Sequence, residues 1–391
     1  MRRTLVVLVS LSAVAAIVAV AGPAGAAAAR APSGAAAGGA AGVTVRADFN
    51  DDGAEDLAVG APFESVGTVP DAGTVIVLYG SPGGLSSTGS QLFNQESAGI
   101  AGVAERGDLF GVSLATGDFD GDGVTDLAVG VRGESVSTVP SAGAVQVLYG
   151  SPTGLSAAGS QIFTQDSPGV PGGSEGFDGF GSALAAGDFD GDGADDLAAG
   201  ADFEAVGTLE GAGAVTVLPG STGGLTGNGS VRFTQDSPGV PGGAEGLDRF
   251  GSALAAGDFN RDGLDDLSVG VPGEAVGSLL DAGAVNALFG SAGGLTAVGS
   301  QRFTQDSAAV PGVAETADQF GTALAAGDFD GDGFVDLASG APGEALGAVE
   351  GAGAVIALVG SADKLQGVGS QLFTQNTAGV GGSAEFFDDF G

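Results

Sequence analysis

The sequence repeats with a period of seventy residues. One column of aspartates and three columns of phenylalanines keep this interval through five units, and together the phenylalanine columns hold fifteen of the 22 phenylalanines. The members are Asp48, Asp118, Asp188, Asp258 and Asp328; Phe49, Phe119, Phe189, Phe259 and Phe329; Phe93, Phe163, Phe233, Phe303 and Phe373; and Phe110, Phe180, Phe250, Phe320 and Phe390. A residue type fixed by its place in a repeat usually fills one recurrent packing site, so the chain must fold as an array of equivalent units.

Each unit contains four short segments with strand character. In the second unit they read SLATGDF, DLAVGV, GAVQVLYGS and SQIFTQD, and they are bounded by Gly, Pro, Ser or Asp. Helical periodicity is absent from the repeats. Four strands per equivalent unit predict an all-β fold, a β-propeller of four-stranded blades, because radial repetition protects the sheet edges. A β-solenoid is the alternative, although its turns are normally much shorter than this period.

The units fill residues 42–391, which is 350 residues or five times seventy. Gly391 has the repeat position of Gly111, so the last Phe-Gly pair supplies an element that the first unit lacks. This complementarity is expected if the two ends meet. We therefore expect five blades in a closed ring, with two alternatives: an open arc related to a larger, seven-bladed propeller, or an arc completed by a second chain.

The beginning of the chain is typical of an export signal. Arg2 and Arg3 precede an apolar run from Leu5 to Val20, and small residues follow at 24–26. We predict a signal peptide at 1–26, a flexible Ala/Gly-rich spacer at 27–41 and a secreted mature protein without stable membrane insertion. A membrane anchor is the alternative interpretation of the apolar run.

Composition excludes several classes of function. The 48 acidic residues against 11 basic ones give a formal charge of -37, which would repel nucleic acids and anionic membranes. The chain contains neither Cys nor His. Disulfides, thiolate nucleophiles, zinc sites of the usual kind and histidine-dependent catalysis are therefore excluded.

A nine-residue acidic motif lies near the start of each unit, as in DFDGDGVTD at 118–126. Side-chain oxygens at positions 1, 3, 5 and 9, a glycine at position 6 and a backbone carbonyl at position 7 suit calcium, which takes 6–8 oxygen ligands. The predicted calcium loops start at 48, 118, 188, 258 and 328. Their predicted ligands are Asp48, Asn50, Asp52, Ala54 and Asp56; Asp118, Asp120, Asp122, Val124 and Asp126; Asp188, Asp190, Asp192, Ala194 and Asp196; Asp258, Asn260, Asp262, Leu264 and Asp266; and Asp328, Asp330, Asp332, Phe334 and Asp336.

These loops differ from an EF-hand. Position 12 is Val129 where an EF-hand needs a bidentate Glu, and helices do not flank the loop. Asn50 in the first loop, and Asn260 with Arg261 in the fourth, lower the ligand charge and predict weaker binding there. A metal-free Asx-rich turn is the alternative. If calcium binds, its role is structural, since five sites would add a stability comparable to that of a domain.

The repeats resemble the FG-GAP repeat of the β-propeller at the N-terminus of integrin α subunits. "FG" stands at 110–111, 180–181, 250–251, 320–321 and 390–391, and "GAP" at 60–62 and 340–342. The resemblance covers 42–391 and implies calcium in the acidic loops and recognition of extracellular ligands on the opposite face. "GAP" is altered at 130–132, 200–202 and 270–272, and integrin propellers have seven blades, so a complete transmembrane adhesion receptor is not implied.

A binding module is the favoured function, because the acidic residues recur in columns whereas catalysis needs one asymmetric constellation. The chain is expected not to be an enzyme, and we expect a monomer that binds an extracellular protein or surface ligand, with pairing of arcs as an alternative. The loop residues Phe177, Leu247, Phe386 and Phe387 are candidate anchors, or fold back on neighbouring blades. A lectin-like propeller and, less favoured, an extracellular hydrolase are the other candidates; Tyr79 and Tyr149 share a column that is typical of packing.

Overall fold

A computed structural model describes residues 44–391, and this part of the chain consists of strands, turns and loops without a helix. Its strands form five separate four-stranded antiparallel sheets, one for each repeat unit. The predicted all-β architecture of four-stranded blades is confirmed. The predicted signal peptide and spacer, at 1–26 and 27–41, lie outside the described residues. Across 44–391 there is accordingly no helical segment of the length and apolarity that a membrane span requires.

The strands are numbered β1 to β20 in chain order. The first blade contains β1 (Thr44–Ala47), β2 (Asp56–Ala61), β3 (Thr74–Tyr79) and β4 (Ser86–Phe93). The second contains β5 (Phe110–Gly117), β6 (Asp126–Val131), β7 (Ala144–Tyr149) and β8 (Ser156–Phe163). The third contains β9 (Leu184–Gly187), β10 (Asp196–Ala201), β11 (Ala214–Leu218) and β12 (Val231–Phe233).

The last two blades have the same plan. The fourth contains β13 (Leu254–Gly257), β14 (Asp266–Val271), β15 (Ala284–Phe289) and β16 (Thr296–Phe303). The fifth contains β17 (Leu324–Gly327), β18 (Asp336–Ala341), β19 (Ala354–Val359) and β20 (Gln366–Phe373). Each sheet is a meander in which strands pair in sequence order, and the first strands of blades one to five contact one another in succession.

Four hydrophobic cores lie between consecutive blades. The core between blades four and five shows the pattern: Phe259, Val285 and Phe303 of blade four pack against Leu337 and Ile356 of blade five. Equivalent clusters join the other consecutive pairs. Each middle blade packs against a core on both of its faces, and successive residues of a strand point to opposite faces. Consecutive residues are therefore apolar, which explains runs such as DLAVGV.

The Phe-Gly pairs contact glycine-rich segments of the preceding blade at close range. In each unit the Phe-Gly pair packs on the blade that precedes it, as where the Phe110 amide donates to the Ala72 carbonyl at 2.9 Å. A Cβ added to Gly130 would lie 2.2 Å from the carbonyl oxygen of Gly181 and 2.0 Å from Ser113 Oγ. Only glycine permits this approach. The last pair, at 390–391, packs on blade five in the same way.

The described blades form an open arc. Inner strands of consecutive blades contact each other, but β17 and β1 share no substantial contact within residues 44–391. Phe329 in blade five is 56% exposed, whereas its counterparts Phe49, Phe119, Phe189 and Phe259 are fully buried. The described blades therefore form the open arc that the sequence analysis gave as an alternative, and not the closed ring that it favoured.

Candidate calcium loops and the opposite face

The five acidic motifs form tight turns that connect the first and second strands of each blade. In the second loop, carboxylate oxygens of Asp118, Asp120 and Asp122 all lie within 4.8 Å of one another. The same holds for Asp188, Asp190 and Asp192, and for Asp328, Asp330 and Asp332. The structure thus brings together the predicted ligands at positions 1, 3 and 5 of three loops.

Backbone amides of the turn hold these carboxylates in place. The Asp122 amide donates to Asp118 Oδ1 at 3.0 Å and to Asp120 Oδ1 at 3.2 Å, and the Gly123 amide donates to Asp118 Oδ2 at 3.0 Å. Gly123 has a φ of 91°, which glycine adopts without strain. The local sequence therefore orients the acidic side chains through hydrogen bonds within the turn.

The ninth-position aspartate lies apart from this cluster, at the first residue of the second strand. Asp126 is buried, and its carboxylate accepts the amides of Phe119 and Gly150, both at 2.8 Å. Burial raises its pKa to about 8, and the neighbouring Asp120 and Asp118 contribute to the increase. Its counterparts bind backbone amides in the same way: Asp56, Asp196, Asp266 and Asp336. Each of these aspartates therefore links the acidic loop to the glycine that follows the third strand, through a hydrogen bond from the glycine amide.

The first and fourth loops keep the turn with fewer charges. Asn50 Oδ1 accepts the Asp52 amide at 3.0 Å, and Asn260 Oδ1 accepts the Asp262 amide at 2.8 Å, as the aspartates do elsewhere. Arg261 does not fold onto its own loop. Its guanidinium donates to the Asp332 carbonyl of the fifth loop at 3.4 Å and lies 5.7 Å from the centroid of the Phe334 ring.

The donor set fits a hard divalent cation. Three carboxylates converge within one turn, and burial with repulsion from Asp122 and Asp118 raises the pKa of Asp120. Calcium prefers oxygen ligands of this kind and would remove the repulsion. Ligation by the position 7 carbonyls of Ala54, Val124, Ala194, Leu264 and Phe334 stays a prediction, as does ligation by the ninth aspartates.

Comparison with known proteins identifies the repeat. The model of the FG-GAP repeat family matches residues 39–78, 110–148, 180–218, 250–285 and 320–358, one match for each blade. This chain is an FG-GAP repeat protein. Each match to this FG-GAP protein from 110 onward begins at the Phe-Gly pair, and all five span the acidic loop of their unit.

The FG-GAP protein is similar to two kinds of larger protein. It is 34% identical to integrin alpha pat-2 of Caenorhabditis briggsae over 245 residues, which are 60% of this chain and 18% of that integrin. It is 37% identical to integrin alpha-PS5 of Drosophila melanogaster over 42% of this chain and 15% of the integrin. It is also 35% identical to phosphatidylinositol-glycan-specific phospholipase D of Rattus norvegicus over 41% of this chain and 18% of that enzyme. The chain thus spans only a small part of each of these relatives, and the predicted resemblance to the integrin α propeller is confirmed.

The face opposite the calcium loops carries a cluster that the sequence analysis missed. Strands of a meander alternate in direction, so the loops after the second and fourth strands lie at the other end of each blade. There, the carboxylate of Asp202 accepts from Arg132 at 3.1 Å and from Arg249 at 3.1 Å. Both guanidiniums also lie over the Phe203 ring, at 5.5 and 5.2 Å from its centroid. We call these four residues the Arg–Phe cluster.

A pocket adjoins the Arg–Phe cluster between blades two and three. It is a shallow, open depression of about 430 Å³, lined by Arg132 and Phe203 together with Leu109 and Phe177. Phe177 is 66% exposed, so this predicted anchor does not fold back into a core. Leu247, Phe386 and Phe387 are exposed as well. The altered "GAP" triplets at 130–132 and 200–202 contain Arg132 and Asp202 and were a sequence signal for the cluster.

A column of glutamates on this face joins neighbouring blades. Glu134 of blade two accepts a hydrogen bond from Gln95 Nε2 of blade one. Equivalent pairs are Gln165 with Glu204, Gln235 with Glu274, and Gln305 with Glu344. Burial raises the pKa of Glu134 to about 7, and repulsion from Asp108 adds to the effect. This glutamate column thus has a structural role at each interface.

The two tyrosines also act between blades. The Tyr79 hydroxyl accepts the Leu155 amide of the next blade at 3.0 Å, and the Tyr149 hydroxyl accepts the Leu225 amide at 3.1 Å. Burial raises the pKa of Tyr79. The packing role that their shared column predicts agrees with these contacts.

Proposed function

We propose that this FG-GAP protein is a secreted, calcium-stabilised module that binds an acidic segment of an extracellular protein through the Arg–Phe cluster. The observation that carries the proposal is the asymmetry of this cluster in a chain where nearly everything else repeats. Binding one specific ligand needs such a constellation, whereas a packing role would recur in every blade.

The cluster is assembled where three repeat columns change residue type. The column of Arg132 holds proline in three other units and Asp202 in the remaining one. The column of Phe203 holds glycine in three units and a second phenylalanine, Phe63, in the first unit, and that of Arg249 holds a different residue type in each unit. Two arginines in one place are notable because the whole chain has 11 basic residues.

Charge determines the class of ligand. Within the cluster two guanidiniums share one carboxylate, on a protein of formal charge -37. Asp202 is buried, whereas the Arg132 and Arg249 side chains are 35% and 40% exposed, so a ligand can reach both arginines from solvent. Guanidinium groups bind carboxylates in a planar, two-point geometry. The pocket beside Phe203 would receive an apolar side chain next to that carboxylate.

Calcium would act on the other face as a structural ion. Asp118, Asp120 and Asp122 and their counterparts would hold it, and its charge would offset the repulsion within each loop. Secretion is supported by the export-type sequence at 1–26 and by the similarity to integrin α chains. We propose no catalytic role for the recurring glutamates, because they serve the same interface in each of blades two to five.

Fluorescence polarisation with two labelled peptides tests the ligand class. One peptide carries glutamates around a central phenylalanine, and the other has glutamine in place of each glutamate. We expect the acidic peptide to bind more tightly, to lose affinity with rising salt, and to lose it when Arg132→Gln and Arg249→Gln are combined. Arg106→Gln is the matched control, since Arg106 is an exposed arginine of the same face that lies outside the cluster.

Two results would contradict the proposal. Equal binding of both peptides would remove the charge argument, and equal losses for the control and the double variant would show a general effect of net charge. Glycan binding that persists in the double variant would instead favour the lectin-like alternative. Isothermal titration of EDTA-treated protein with calcium chloride tests the calcium part separately.

A further inference from the structure

Within residues 44–391, the arc ends in two apolar faces that are open to solvent. The front end face belongs to blade five and is formed by Ala325, Phe329, Val355, Ala357 and Phe373. The rear end face belongs to blade one and is formed by Leu57, Val59, Ile76, Leu78 and Leu85. Phe329 is 56%, Ile76 36% and Leu85 52% exposed, and the other members are partly or fully exposed.

The same columns are buried at every internal interface. Phe259, the counterpart of Phe329 in blade four, is fully buried, as are Val285 and Ala287. Ile356, the counterpart of Ile76 in blade five, is fully buried, and Leu155, a counterpart of Leu85, is 3% exposed. The two end faces are therefore the two halves of an interface that the chain already forms four times.

Polar groups at the rims of the end faces match in the same way. Each internal interface has a Gln–Glu pair, and the remaining members of these columns are Gln375 at the front end and Glu64 at the rear end. Gln375 is partly exposed at the front end, and Glu64 is exposed at the rear end. Each internal interface also has a backbone hydrogen bond like that from the Ser361 amide to the Phe259 carbonyl, at 3.1 Å. Ser81 and Phe329 are the matching residues at the two ends.

We propose that the front end face binds the rear end face of a second copy of this chain. The contact is head-to-tail, so the two copies use different surfaces and each dimer retains one free face of each kind. Such an interface continues the stacking of blades across two chains and buries the exposed phenylalanine column. Because both copies are strongly acidic, association should strengthen as salt screens their repulsion. This proposal is independent of the ligand proposed for the Arg–Phe cluster.

Sedimentation analysis of complementary variants tests the proposal. Phe329→Asp spoils only the front face, and Leu85→Asp spoils only the rear face; both residues are exposed, so the variants should fold. We expect the mass of the unmodified chain to rise with concentration and each variant alone to stay monomeric. An equal mixture of the two variants should form dimers that grow no further, because one intact front face and one intact rear face remain. A mixture that stays monomeric would overturn the proposal.

Crosslinking distinguishes a second copy from closure within one chain. The chain contains no cysteine, so Gln375→Cys and Glu64→Cys each introduce a single thiol. With a short bismaleimide, the mixed single variants should give a covalent dimer, whereas Gln375→Cys alone should not, since two front faces do not match. The double variant Gln375→Cys/Glu64→Cys provides the contrary result. If it crosslinks within the monomer and the mixed single variants give no dimer, the ring closes on itself and the proposal is overturned.

Discussion

Replacing the same phenylalanine of two different blades measures whether the arc is open in solution. Phe259 of blade four is fully buried between blades, while Phe329, at the same repeat position of blade five, is 56% exposed. Truncation of a buried phenylalanine to alanine costs about 3–5 kcal/mol, because transfer free energy is lost and a cavity remains. More than half of the Phe329 side chain is already in water, so Phe329→Ala should cost about 1 kcal/mol or less.

The assay is urea unfolding of Phe259→Ala and Phe329→Ala at a fixed calcium concentration. Samples should be dilute enough to be monomeric, since association between copies would bury Phe329. The difference in unfolding free energy between the variants should then be about 2–4 kcal/mol. Phe119→Ala, another fully buried member of the column, should match Phe259→Ala.

Equal destabilisation by the two substitutions in dilute samples would refute the open arc, because it would show that blade five is covered within the monomer. A small effect of Phe259→Ala would refute a different step, namely that this column forms the cores between blades. The pair of variants therefore separates the arrangement of the blades from the composition of their interfaces.

Three further predictions concern the loops, the glycines and the inter-blade acids. Removing calcium with EDTA should lower the free energy of unfolding by about 1.4 kcal/mol for each site, if free calcium was tenfold above the dissociation constant. In calorimetric titrations, Asp120→Asn should weaken calcium binding at one site. Asp51→Asn, which lies outside the ligand positions, should leave calcium binding unchanged. Gly130→Ala should destabilise the protein by more than about 2 kcal/mol, because its Cβ would lie 2.2 Å from the Gly181 carbonyl oxygen; Gly173→Ala, with open space around its Cβ, should be nearly neutral by thermal melting. Burial raises the pKa of Glu134 from 4.5 to about 7, so the folded state binds more protons than the unfolded state between these values. The free energy of unfolding should therefore fall as pH rises from about 5 to 8. Denaturant titrations at several pH values should show a weaker pH dependence for Glu134→Gln. Glu64→Gln, at the exposed member of the column, should leave the pH dependence unchanged.

Much of the fold follows from local sequence. The seventy-residue period predicts five equivalent units, and the turn residues around DLAVGV and its relatives predict four strands in each. The convergence of Asp118, Asp120 and Asp122 is also local, since amides within the same turn orient the side chains. Such features depend on neighbours a few residues apart, which a sequence displays directly.

The contacts that cross between blades are less accessible to sequence reasoning. Gln95 meets Glu134 across 39 residues, and Arg132 meets Asp202 across 70. Arg261 reaches the fifth loop rather than its own. Each contact depends on the distance and angle between two blades, and residue columns specify that blades are alike without specifying how they are stacked.

The sequence alone determines that this chain builds five like β-sheets with acidic turns, because a fixed repeat and local turn chemistry admit few other structures. Only the tertiary structure decides that the blades form an open arc, since closure depends on the rotation between blades accumulated over the whole array. It also decides that Arg132, Asp202 and Arg249 meet around Phe203. Residues from three units come together there because each blade packs on the next, a relation that does not exist until the chain has folded.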